Sequence, residues 1–266
     1  MLLSNLVSRS FGSFAQKRFP KVIQNVINSS YVKLMKLDMG EFEDPKTYES
    51  LNKLFTRALK SPRSLDDGVI SPVDAFISKV GTVTDDTAFQ IKSHEYSLPK
   101  LLTNNYESQA KALNGGVYAN FYLSPKDYHR YHIPYDMQIK SVTHVPGKLY
   151  PVNFKYLQKV PELFVQNERI IVEAEVCGKL FFMVLVGALN VGKMLVHFEP
   201  DIHTNAKAAK VKKYTYADMR LQKGEEFGYF MMGSTIVMIA QDGLLDLDLY
   251  ESSKVKFGQK IAAIRE

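Results

Sequence analysis

The sequence contains one cysteine, Cys177, and no tryptophan. A single thiol excludes an internal disulfide framework and a cysteine-based zinc site. Long hydrophobic runs are missing too. The longest nearly unbroken apolar stretch, Leu180–Leu189, is about half of the ~18 residues a bilayer span requires, so no transmembrane helix is expected. No low-complexity tract or internal repeat is present. Disorder of the whole chain is excluded by 45% apolar and 23% charged residues, both near globular averages. The 266 residues suffice for one large domain, or a domain with a small extension, around a sizeable core.

The most informative absence is of acid. Met1–Leu37 holds no carboxylate, the first being Asp38, but carries Arg9, Lys17, Arg18, Lys21, Lys33 and Lys36. These are six of the 34 basic residues, leaving 28 against 28 acidic ones in the rest, so the net charge of +6 resides in the first 37 residues. A nucleic-acid binder more often spreads its basic stripe over the folded domain. The asymmetry points instead to a terminal element that meets an anionic surface.

That terminus reads as helices. Leu2, Leu3, Leu6, Val7, Phe11 and Phe14, then Val22, Ile23, Val26, Ile27, Tyr31, Leu34 and Met35 after the break at Pro20, follow amphipathic spacing. A basic, acid-free polar face suits a membrane interface, where each Lys or Arg near an anionic bilayer adds ~1 kcal/mol. Ser and Asn interrupt any compact stretch that a secretory signal would need, whereas the composition of a mitochondrial presequence is similar and stays open. A third helix is expected from Asp44-Pro45, an N-cap followed by proline at the first helical position, and carries Tyr48, Leu51, Leu54, Phe55, Ala58 and Leu59. Core packing and membrane contact are equally compatible with it.

From about residue 69 short strands take over: Ala75–Val83, Ala88–Ile91, Val117–Leu123, Met137–Val145, Arg169–Val176, Leu180–Ala188 and Thr235–Ala240, separated by Gly and Pro turns such as Cys177-Gly178-Lys179. The expectation is an α+β protein, with a mainly antiparallel β domain over 61–266 behind a helical segment over 1–60. Short helices are expected at Leu98–Leu102 and just after Ser124.

Ser124-Pro-Lys-Asp-Tyr-His-Arg-Tyr-His-Ile-Pro134 is the segment densest in chemistry. Ser124 and Asp127 form a capping-box variant with Pro125 at the first helical position, which would set His129 and His132, at i and i+3, on one helical face. Two such histidines could hold a metal, but the glutamate of the helical zinc-protease pattern is absent. Acid–base work fits an imidazole better. Met232-Gly233-Ser234-Thr235 and Ser71-Pro72-Val73-Asp74 are weak signals singly, and Cys177 reads as a core or turn residue. His94, His144, His197 and His203 have no supporting pattern.

Together and in order, these segments resemble one family, phosphatidylserine decarboxylase. The matching pieces are Ser71-Pro-Val-Asp74, Tyr122-Leu-Ser-Pro-Lys-Asp-Tyr-His-Arg-Tyr-His132, Pro146-Gly-Lys-Leu149, Asn167-Glu-Arg169, Gly187-Ala-Leu-Asn-Val-Gly192, Lys223-Gly-Glu-Glu-Phe-Gly228 and Met232-Gly-Ser-Thr235. A weaker match begins at Leu51-Asn-Lys-Leu-Phe-Thr-Arg57. Met232 stands where leucine is usual and Ala75 where glycine is common, both beside the reacting atoms.

The resemblance implies a proenzyme that cuts itself between Gly233 and Ser234. Ser234 would attack the Gly233 carbonyl to make an ester, and β-elimination followed by hydrolysis would leave a pyruvoyl group as the covalent cofactor. Chains 1–233 and 234–266 would stay together. The pyruvoyl ketone would form a Schiff base with phosphatidylserine, release CO2 and yield phosphatidylethanolamine. The family's self-cleavage triad carries over to Asp74, His132 and Ser234, and leaves decarboxylation to His129. No metal, further cofactor or nucleic acid is implied. The expected location is peripheral, on the cytoplasmic face of a bacterial cell membrane, with an anionic lipid surface as partner; oligomeric state stays open. Two other readings are a pyruvoyl decarboxylase of a soluble amino acid and a non-catalytic membrane-bound β module.

Overall fold

The computed structural model describes residues 12–84, 87–91, 94–152, 154–157, 159–189, 193–206, 209–231 and 234–265. Most of the expected first helix, residues 1–11, lies outside them, as do Asn190–Gly192, Met232 and Gly233.

An eight-stranded antiparallel sheet dominates the chain. In spatial order it runs Lys212–Leu221, Met137–Val145, Arg169–Val176, Lys179–Val186, Ser234–Ala240, Val117–Leu123, Ala75–Thr82 and Lys254–Val255. Its central strands read as near-continuous apolar runs because both faces are covered, and all seven residues of Ser234–Ala240 are buried. The Cys177-Gly178 turn joins two neighbours as a two-residue hairpin; both residues have positive φ, 48° and 76°, the geometry that matches strand twist. Two three-stranded sheets flank this one. The first comprises Met194–Val196, Glu226–Phe230 and Arg130–His132, the second Val69–Ile70, Lys260–Ile264 and Leu245–Leu247. The α+β expectation holds, as does the helix at Leu98–Leu102.

Two local expectations do not hold. The third helix divides: Asp44 caps only the 3-10 turn Pro45–Thr47, accepting from the Lys46 N–H at 2.8 Å, and a separate helix Leu51–Phe55 starts from Ser50. No helix follows Ser124. Asp127 does reach back to the Ser124 N–H and hydroxyl, each at 2.7 Å, but the chain makes one turn and then extends into Arg130–His132. His129 and His132 therefore do not share a helical face.

The helix Lys21–Met35 buries Gln24, Asn28 and Tyr31. Gln24 donates to Asn28 at 2.8 Å, and the Asn28 amide donates to the carbonyls of Pro45 and Tyr48 at 2.8 and 2.9 Å. Ile27, Val32 and Met35 pack partly against Leu51, Leu54 and Phe55. Val22, Ile23, Val26 and Leu34 face outward, at 51–77% exposure.

Candidate active site

Strand register gathers the scattered sequence segments at one end of the main sheet. A continuous row of partners runs Val145, Arg169, Val186, Thr235, Tyr122, Phe76 and Lys254 across seven strands. Immediately beyond that row come Pro146-Gly147, Asn167-Glu168, Gly187, Ser234, the Ser124 turn and Asp74. Backbone pairing alone thus places Ser234 opposite Leu123 and brings Asp74 to the same end, at the strand on the far side of Val117–Leu123. A cavity of about 530 Å³ opens there, lined by Asp74, Tyr122, Ser124 and Asp127 and rimmed by Lys126, Lys254 and Lys256.

Ser234 is fully buried, and its hydroxyl has no hydrogen-bond partner among the described residues. An orphaned buried hydroxyl is a cost that structural serines avoid. Thr235 next to it is satisfied, donating toward the Asn120 side chain at 2.8 Å and the Phe121 carbonyl at 2.7 Å.

His129 is equally buried. Its Nδ1 donates to the Asp127 carbonyl at 2.7 Å, which fixes the proton there and leaves Nε2 as a bare acceptor with no partner among the described residues. The Phe55 ring packs 4.1 Å away, centroid to centroid. Burial pushes its pKa down to about 3 against the help of the Asp127 carbonyl, and the positive Arg57 pushes the same way. His129 is a neutral imidazole with an open lone pair.

His132 lies 3.6 Å from the Phe257 ring in a parallel stack. Its Nδ1 donates to the Gly224 carbonyl at 2.9 Å, and its Nε2 accepts from the Tyr128 hydroxyl at 3.0 Å. Desolvation lowers its pKa to about 4. Asp74 is held by Arg63 through two contacts, at 2.5 and 3.0 Å, and accepts from the Phe257 N–H at 2.8 Å. Asp74 and His132 have these other partners rather than each other; what reaches His132 from Asp74 is its field, which favours the charged imidazole. Arg63 also binds Glu41 at 2.8 and 3.0 Å, and Lys256 joins at 3.1 Å.

Sequence reasoning thus named the residues of this end but missed their partners. Arg63 and Phe257 are tertiary neighbours with no spacing signature, while Tyr128 and Gly224 lie within the matched segments with no role assigned to them. Cys177 is exposed in its hairpin turn, away from these groups. His144 is a buried partner of Glu168 at 2.8 Å, and Glu168 also accepts from the Asn205 N–H.

Comparison with known proteins agrees with the geometry. A family-wide profile described as phosphatidylserine decarboxylase matches residues 51–263. The phosphatidylserine decarboxylase proenzyme of Campylobacter jejuni is 47% identical, over 98% of this chain and 100% of its own length. That of Helicobacter pylori is 45% identical over 97% of each chain, and that of Azotobacter vinelandii 36% identical over 98% and 94%. With the end-of-sheet cluster assembled from the same segments, the chain belongs to the phosphatidylserine decarboxylase family.

Proposed function

We propose that this chain is the precursor of a pyruvoyl-dependent enzyme that decarboxylates phosphatidylserine to phosphatidylethanolamine. The observation that carries the reading is Ser234: it opens the central strand with a buried hydroxyl that has no hydrogen-bond partner among the described residues, among the family's own segments. Conversion of that residue into a ketone strands no partner, so the site fits a pyruvoyl group. Such a group supplies the electron sink that amino-acid decarboxylation needs.

Cutting between Gly233 and Ser234 requires the serine to lose its proton to a base held in one tautomer. In our reading Asp74, His132 and Ser234 do this. The Gly224 carbonyl keeps the His132 proton on Nδ1, so its lone pair is on Nε2. The Tyr128 hydroxyl now occupies that lone pair, and it has to yield before Ser234 can use it. The negative field of Asp74 favours the imidazolium that forms, against the opposing charges of Arg130 and Arg63.

His129 is then free for the substrate. Its bare Nε2 can accept a hydrogen bond from the incoming headgroup and so place the imidazole to relay a proton to the carbon that loses CO2. Burial keeps the imidazole neutral and weakly basic, so the lone pair stays open for that contact.

The helical segment over 1–60 is proposed to hold the protein peripherally on an anionic membrane. Among the described residues no helix is long and apolar enough to cross a bilayer. The outward Val22, Ile23, Val26 and Leu34, with Lys17, Arg18, Lys21, Lys33 and Lys36 exposed around them, have the chemistry of an interfacial helix.

The test is CO2 release by purified protein given phosphatidylserine in vesicles, beside free serine and beside Ser234→Ala. Release from the lipid alone, lost in the variant, is expected. Equal release from free serine, or activity in demonstrably uncut Ser234→Ala, would sink the reading.

A further inference from the structure

Arg57 is a buried cation that the chemistry above does not use. Its side chain is 2% exposed. Nη2 donates to the main-chain carbonyls of Lys126 and Asp127 at 2.7 and 3.4 Å, and the guanidinium lies 4.4 Å over the Phe42 ring. Nε and Nη1 have no hydrogen-bond partner among the described residues. Among the described residues no carboxylate lies within ion-pair distance of it. An arginine keeps its charge when buried, and a buried charge without a counter-ion is among the least favourable arrangements a fold can hold.

Its neighbours share this incompleteness. The Tyr31 hydroxyl, within the electrostatic reach of Arg57, is also buried and unpartnered. So are His129 Nε2 and the Ser234 hydroxyl. One turn, Ser124–Asp127, touches the set: Arg57 holds its carbonyls, His129 donates to the Asp127 carbonyl, and Ser234 pairs with Leu123 just before it. Phe55, two residues ahead of Arg57, packs on the His129 ring. The exposed Lys126, Lys254 and Lys256 are in water and need no ligand; among the described basic residues only Arg57 combines burial with unsatisfied donors.

We propose that Arg57 is the receptor for the phosphodiester of the substrate headgroup, placing the serine moiety against His129. The proposal rests on the phosphatidylserine reading and deepens it. The headgroup has two anions, and the reaction distinguishes them. The carboxylate gives up its charge as CO2 departs, so a cation fixed on it would stabilise the ground state more than the transition state and slow the step. The phosphodiester keeps its charge throughout, so binding it costs the chemistry nothing. Arg57 therefore contributes to affinity rather than to turnover.

The experiment compares wild type, Arg57→Gln and Arg57→Lys in self-cleavage, in kcat and KM for phosphatidylserine in mixed micelles, and in inhibition by phosphatidylethanolamine. That product keeps the phosphodiester and lacks the carboxylate. Arg57→Gln should cut itself as wild type does, raise KM and the product inhibition constant together by about 10- to 100-fold, and leave kcat within about threefold. Arg57→Lys, which keeps the cation, should recover part of the affinity. A higher KM with unchanged product inhibition would move Arg57 to the carboxylate and overturn the proposal. Loss of self-cleavage in both variants would make Arg57 a clamp for the Ser124–Asp127 turn, which also overturns it. Wild type that cuts itself but leaves phosphatidylserine untouched would instead remove the substrate reading, and this proposal with it.

Discussion

The helix Lys21–Met35 and the strand Ser234–Ala240 are both rich in aliphatic residues, yet they place them oppositely. The strand hides every side chain between its neighbours. The helix turns Val22, Ile23, Val26 and Leu34 to the outside and keeps Gln24 and Asn28 within. Hydrophobic burial explains the strand directly, since apolar area leaves water. The helix follows the same rule only if its outer surroundings are not water, and its polar inner face is then an anchor: Asn28 donates to the carbonyls of Pro45 and Tyr48.

The largest expected effects lie at the strand end. His132→Ala and Asp74→Ala should remain mostly uncut. His129→Ala should cut itself, while CO2 release from its processed fraction falls by about 10²- to 10⁴-fold. A gel reads the first quantity and radiolabelled CO2 the second. If His129→Ala stays whole and His132→Ala cuts normally, the bare Nε2 of His129 is the base and the two roles exchange.

Next comes the outer face of the helix. Replacing Val22, Ile23, Val26 and Leu34 with serine should lower flotation with anionic vesicles by about 100-fold or more, as lost apolar contact adds over four side chains. Folding stability should move by no more than about 0.5 kcal/mol per site. Undiminished flotation would show that this face does not touch lipid.

The inner face gives the converse. Asn28→Leu adds apolar surface at a buried position, which would help an ordinary amphipathic helix. Here it should destabilise by about 1–3 kcal/mol, because the Pro45 and Tyr48 carbonyls lose the Asn28 amide and Gln24 loses its acceptor. Urea unfolding measures it, and a stabilised variant would break the contrast between the two regions.

The last effect is in pH. His129 and His132 ionise at about 3 and about 4 when folded, against ~6.5 in the unfolded chain. Their contribution to stability is whole above pH ~6.5 and is lost as pH falls toward the folded values, because the unfolded chain then binds the extra protons. Each can add a slope of up to ~1.4 kcal/mol per pH unit. His129→Phe should flatten unfolding free energy between about pH 6 and pH 4 by close to one proton; an unchanged slope would mean that His129 is not held neutral.

How much of this was legible depends on range. Met137–Val145 and Arg169–Val176 were read to the residue because apolar runs meet Gly and Pro turns at their ends. Asp74, His129, His132 and Ser234 were readable from the family's segments. The helix after Ser124 was misread because a capping pattern is equally satisfied by a single turn, here Asp127 closing on Ser124. The amphipathic spacing of Lys21–Met35 was visible, but not which face looks inward, since that is decided by carbonyls at Pro45 and Tyr48. The grip of Arg63 on Asp74 and the isolation of Arg57 are tertiary facts, set by strands far apart in sequence.

The central claim, that Ser234 becomes the reactive group of a self-cut enzyme, is tested most directly by the intact mass of the purified protein. Two chains are predicted, residues 1–233 and a partner spanning 234–266 that is lighter by one ammonia than the same peptide beginning with serine. A single uncut chain in protein that releases CO2 from phosphatidylserine, or a short chain that retains its N-terminal serine in such protein, would contradict the account.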